Sequence, residues 1–246
     1  MEHSNAGAVE GKLFLYENPE MLALEDHEAL GITPVAAPYA NTREHNAIPI
    51  TTTEFRSAQK DYPIVFTGHK DPYPLAIVGV AENKNLFLDN NNEWEANCYV
   101  PAYLRCYPFA FAQLGDDQMA VVIDRASPMV TESPEFPFFE NGDVTEHTTK
   151  MRDFAAHFVA ERKKTEAFCK MLVEKELLTD QHVTHRPKGA DKEEVLANYA
   201  AIDAQKVNEL SSDELQVLHQ SGDLAAIYAH MFSLENWNKL LQRRAA

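Results

Sequence analysis

The sequence predicts an α+β fold: a small antiparallel sheet in the N-terminal half, packed against a long helix and a C-terminal helical cluster. Two observations carry this. Short apolar, β-rich runs separated by turn residues crowd the stretch from about 47 to 124, and helical spacing of apolar residues takes over from Thr148. Strands segregated from helices mark α+β, whereas alternation would mark a parallel α/β sheet.

The elements follow in order. Residues 1–12 are polar, and residues 1–26 read as a partly irregular extension. Phe14–Tyr16 is expected to form a short strand. Residues 17–46 hold Pro19, Pro34 and Pro38 and read as an irregular wrap, with one helical turn near Pro19–Leu24. Ala47–Ile50 reads as a strand. Thr51-Thr52-Thr53-Glu54 matches a capping box, in which Thr51 bonds the amide three residues on and Glu54 reaches back. Its helix, 52–59, should stop before Asp61-Tyr62-Pro63, because the residue before proline avoids the helical region.

Ile64–Thr67 and Leu75–Val80 are strand-like and flank a turn at Gly68–Pro72. Asn85–Leu88 and Trp94–Tyr99 bracket Asp89-Asn90-Asn91-Asn92, a hairpin signal. Pro101 suits the first turn of a short helix, and Pro108 stops it. Phe109–Gln113 and Gln118–Asp124 suggest a second hairpin around Gly115-Asp116-Asp117. Residues 126–144 read as loop. Thr148–Leu178 carries Met151, Phe154, Phe158, Phe168, Met171, Leu172 and Leu178 at roughly helical spacing. His182–Asn198 fits neither helix nor strand clearly. Ser211-Ser212-Asp213-Glu214 is a second capping box, opening a helix that Gly222 breaks. Leu224–Phe232 and Leu234–Leu241 complete a helical end.

Composition narrows the function classes. With 22 basic and 38 acidic residues the net charge is −16, which repels a polyanion, so neither nucleic acid nor an anionic membrane surface is an expected partner. Arg162-Lys163-Lys164, flanked by Glu161 and Glu166, reads as a solvated helix face. No apolar run approaches the ~20 residues a membrane span needs, so no membrane insertion is expected. The N-terminus lacks the basic start and apolar core of a secretory signal, which places the expected location in the cytoplasm. Cys98, Cys106 and Cys169 have no framework spacing and read as small buried apolar residues.

No strong catalytic, nucleotide or metal motif is present, and no cofactor is implied. The candidate binding residues are Trp94, Tyr99, Tyr103, Arg105, Tyr107 and Phe109. Tyr and Arg anchor interfaces because they bury much area and keep a polar tip. The alternative is that these aromatics form the seam between sheet and helices. His69-Lys70-Asp71 matches the H-x-D half of a facial iron triad, with His147, His157 or His182 as the third ligand. His182 and His185 stand three apart without an HExxH. His219, His230 and Tyr228 lie on C-terminal helices, where packing is the plainer role. Ser127 and Ser133 lack a nucleophile elbow.

The runs AIPITTTEFRSAQKDYPIVF (47–66), NLFLDNNNEWEANCYVPAYLRCYPFAF (85–111) and LHQSGDLAAIYAHMFSLENWNKLL (218–241) resemble the SapC family of bacterial proteins. The resemblance runs from about His27 to the C-terminus. It implies one SapC-like domain over 27–246, mainly β over 27–125 and mainly α over 145–246. The family name suggests the surface layer. Family members also neighbour genes for outer-membrane receptors, flavin-dependent halogenases and cupin-type dioxygenases. The resemblance therefore implies an accessory or recognition protein that binds a peptide or protein partner in peptide or surface-protein modification. An enzyme with a dispersed, metal-dependent site and a surface-layer structural or export component are the alternatives. Exposed aromatics would also allow a homodimer.

Overall fold

A computed structural model describes residues 13–80, 83–113, 119–186 and 192–245. The chain divides into two compact units, one built from Met1–Asn41 and Leu104–Ala160, the other from Thr42–Tyr103 and Glu161–Ala246. Helices and small antiparallel sheets occur together, as the α+β expectation requires.

The first unit holds two three-stranded sheets. In one, Met119–Asp124 lies between Pro19–Met21 and Phe109–Gln113. The second predicted hairpin is therefore present, with Phe109 opposite Ile123 and Gln113 opposite Met119. Its expected turn, Gly115-Asp116-Asp117, lies outside the described residues. In the other sheet, Leu30–Ile32 lies between Val130–Glu132 and Phe136–Pro137. Leu30, Ile32, Phe109, Ile123, Val130 and Phe138 form a shared core. Gly31 is required where these strands meet, since a Cβ there would stand 2.2 Å from the Phe136 carbonyl oxygen.

Three expectations for this unit need correction. Phe14–Tyr16 is a turn, and the strand is Pro19–Met21. The helical turn falls later, at Leu24–His27. Residues 126–144 contain four strands of two or three residues. Strands this short carry no period of their own: Val130–Glu132 and Phe136–Pro137 form by pairing with distant Leu30–Ile32, and Phe139–Glu140 with Asp143–Val144 form a local pair.

The second unit is built on a five-stranded sheet. Its order is Leu178–His185, Glu194–Ile202, Ile64–Phe66, Pro74–Ile77, Ala47–Pro49, all antiparallel. Two of its strands come from the segment beyond residue 145, and within the ambiguous stretch His182–His185 and Glu194–Asn198 belong to them, while residues 187–191 lie outside the described residues. Leu178 opens a strand, and the long helix is Glu146–Glu174. The helix ends because Glu176 takes a left-handed backbone (φ 54°) and the Leu177 amide donates to the Leu172 carbonyl at 2.9 Å. That is a Schellman-type stop. The Asn85–Tyr99 hairpin shrinks to one bridge, Leu88–Trp94. Asn92 and Asn97 take positive φ and turn the chain before a ladder can extend.

Both capping boxes are present. Thr51 opens a 3₁₀ turn, Thr52–Glu54, that continues into the helix Phe55–Ala58. Ser211 opens Ser212–Ser221, which Gly222 ends at φ 85°. Asp223–Ser233 and Asn236–Ala245 follow. An unexpected short helix, Ala204–Asn208, starts at Asp203, whose carboxylate accepts from the Gln205 amide at 2.8 Å. Phe55 packs edge-on against Phe66 and Phe168 in this unit's core.

Candidate functional site

The predicted aromatic segment divides between the units and bonds mainly inward. Trp94 is half-buried, and its indole N–H donates to the Tyr62 hydroxyl at 3.2 Å. The Tyr62 hydroxyl donates in turn to the Tyr99 carbonyl. The Tyr99 hydroxyl donates to Glu54 at 3.1 Å. Tyr103 is half-buried at the start of the helix Ala102–Cys106. In the first unit the Tyr107 hydroxyl donates to the buried Asp124 carboxylate at 2.9 Å. Burial pushes the Tyr107 phenol up, and the nearby Asp124 charge adds to this. Phe109 is fully buried and meets Phe138 edge-on. Arg105 is exposed, with its guanidinium 5.1 Å from the Phe154 ring centre. Within the helix itself, Tyr107 does not continue the turn that would set it beside Tyr103, because the helix ends at Cys106.

Two buried carboxylates organise these contacts. Glu54 accepts from the Thr51 amide (2.8 Å), the Thr51 hydroxyl (2.9 Å), the Ala102 amide (2.6 Å) and Tyr99. Asp124 accepts from the Glu17 (3.1 Å), Asn18 (2.9 Å) and Ala126 (3.2 Å) amides besides Tyr107. Buried anions need such donors, since desolvation otherwise outweighs any gain.

The H-x-D pair is not assembled as a triad. His69 Nε2 lies 2.7 Å from an Asp180 oxygen on the exposed surface. Asp71 lines a separate cavity of about 530 Å³ with Tyr73, Glu166 and Cys169. Burial raises the Tyr73 phenol and the Cys169 thiol, each to about 12, so neither is an activated nucleophile near neutral pH. Among the described residues, no group of three or more His, Cys, Asp or Glu side chains is placed to hold a metal ion. His147 stacks on Phe136, while His157, His182 and His219 are exposed. His230 is fully buried against the Phe66 ring.

An open aromatic feature lies elsewhere, and the sequence reading missed it. Phe232 is 62% exposed and Tyr228 42% exposed. Their rings stack with centroids 6.3 Å apart. They stand four residues apart on Asp223–Ser233, so they share a helix face. That face borders a cavity of about 550 Å³ between this helix and the segment Thr52–Gln59. Ala225, Ala226 and Ala229 keep the helix side of the cavity low, and Arg56 and Lys164 also line it. Sequence periodicity could have marked this face: Ile227 and His230 turn inward, leaving Ala225, Tyr228 and Phe232 outward. A third cavity of about 300 Å³ is lined by Val65, Leu75, Ile77, Tyr199 and Trp237.

The fold and these sites define an α+β protein with satisfied buried carboxylates and an open aromatic groove. The chain belongs to the SapC family, whose model matches residues 22–240. No curated protein and no solved structure matches it. Among the described residues, no helix is long and apolar enough to cross a membrane.

Proposed function

We propose that this SapC-family chain is an accessory recognition protein that binds a peptide or protein partner, within a system that modifies peptides or surface proteins. One observation carries the reading: the stacked, solvent-exposed Tyr228–Phe232 pair beside an open cavity of about 550 Å³. Two large rings left in water lose the stabilisation that burial would bring, about 25 cal/mol for each Å². Contiguous exposed apolar surface of this kind marks contact sites. Membership of the SapC family supports the setting.

The test is photo-crosslinking. A photoreactive phenylalanine analogue replaces Ala225, on the exposed face of the same helix, and the full chain is irradiated in the cells that produce it. The expected result is a discrete adduct that disappears when Phe232→Ala is added. Adducts absent across growth conditions, or equally abundant with a photoreactive residue at exposed Glu174, would overturn the reading.

A further inference from the structure

We infer that the groove selects a peptide whose apolar anchor is followed closely by a carboxylate, and that Arg56 receives the carboxylate. The inference rests on the recognition reading above and names the chemistry of its partner. Arg56 is exposed on the helix Phe55–Ala58 and lines the groove opposite Tyr228 and Phe232. Among the described residues, its guanidinium makes no hydrogen bond and no ion pair.

Several other cations of this chain, whose net charge is −16, pair with an acid. Arg162 meets Glu166, Lys170 meets Glu174, Lys175 meets Glu214 and Arg243 meets Glu95. Lys164, also on the groove, is held by Glu161 at 2.7 Å. Asp223, the acid on this groove, accepts from the Ser221 hydroxyl at 2.6 Å, so among the described residues Arg56 offers a planar fork of donors that no acceptor holds, beside the two rings. A carboxylate fits that fork in bidentate geometry. The acidic chain repels polyanions at long range, but a single partner carboxylate at Arg56 meets a local positive charge within the screening length. The rings supply the buried area and Arg56 the register, the usual division between an apolar anchor and a rim charge.

The experiment pans a random 12-residue peptide display library on the full-length protein, on Arg56→Glu and on the double variant Tyr228→Ala, Phe232→Ala. Circular dichroism melts confirm that all three fold; every substituted side chain is exposed. The expected outcome is enrichment of peptides with Asp or Glu within about four residues of an aromatic or branched aliphatic residue. Arg56→Glu should turn that preference toward Lys or Arg. It should also weaken synthetic acidic winners about three- to tenfold, by an amount that shrinks as salt rises. Apolar peptides enriched without an acidic preference, or unaffected by Arg56→Glu, would overturn this inference and leave the recognition reading standing. No enrichment on the native chain, or enrichment that survives loss of both rings, would overturn both.

Discussion

The Ala102 amide and the Glu54 carboxylate, 48 residues apart in sequence, meet at 2.6 Å in the protein interior. The same carboxylate caps its own helix through Thr51 and takes the Tyr99 hydroxyl. One acid thus completes a local capping box and pins the distant aromatic segment. Glu54→Ala leaves four donors without their acceptor and is expected to cost about 3–5 kcal/mol. Tyr99→Phe removes one donor and should cost about 1 kcal/mol. Urea denaturation of both variants checks the ratio. Equal, small losses would mean that Glu54 acts as a cap alone.

Asp124 does the corresponding work in the other unit, tying Glu17, Asn18 and Tyr107 to the strand Met119–Asp124. Asp124→Asn keeps the size but exchanges one acceptor oxygen for a donor facing amide donors. About 2–3 kcal/mol should be lost. Amide hydrogen exchange should show the loss first at Pro19–Met21, which pairs with that strand.

His230 couples stability to pH. It is fully buried, neither ring nitrogen has a hydrogen-bond partner among the described residues, and burial lowers it to about 3 from the ordinary 6.5. Between those values the unfolded chain binds a proton that the folded chain does not. Stability is therefore full above about pH 6.5 and falls as pH drops toward 3, by up to about 1.4 kcal/mol per pH unit. Between pH 7 and 5.5 the His230 share is about 1 kcal/mol. His230→Leu should flatten that part of the profile. An unchanged slope would show that other groups carry it.

Two glycines should respond differently to alanine. Gly222 sits at φ 85° with open space around it, so Gly222→Ala costs about 1 kcal/mol of backbone strain. At Gly31 a Cβ meets backbone at 2.2 Å and 2.5 Å. Gly31→Ala must separate two strands and should lower Tm much further, readable by differential scanning calorimetry.

Phe232→Ala provides the contrasting case. With 62% of the residue in water, its loss should change stability by less than about 0.5 kcal/mol. A large loss would show that the ring packs within the protein more than its exposure implies.

The sequence by itself determined what is local. Both capping boxes, the Gly222 stop, the long helix and the Phe109–Asp124 hairpin follow from backbone preferences and side-chain period within a few residues, and all are present. The three matched runs also determined the family, since residue order alone carries it. Only the tertiary structure decided the rest. Three-residue strands such as Leu30–Ile32 have no period to read and exist through partners about a hundred residues away. The strand pair Leu178–His185 and Glu194–Ile202 is mostly polar along its first strand and takes its place by joining Ile64–Phe66. The aromatic segment around Tyr99 and Tyr107 could have faced water or carboxylates. Glu54 and Asp124, contributed from elsewhere in the chain, turned the hydroxyls inward. Tyr228 and Phe232 look like core residues in sequence, yet the sheet accepts only the opposite face of their helix, and two rings remain in solvent. Local chemistry sets the capped helices and the hairpin whose strands are near in sequence. Which faces are covered depends on what the rest of the chain brings to them.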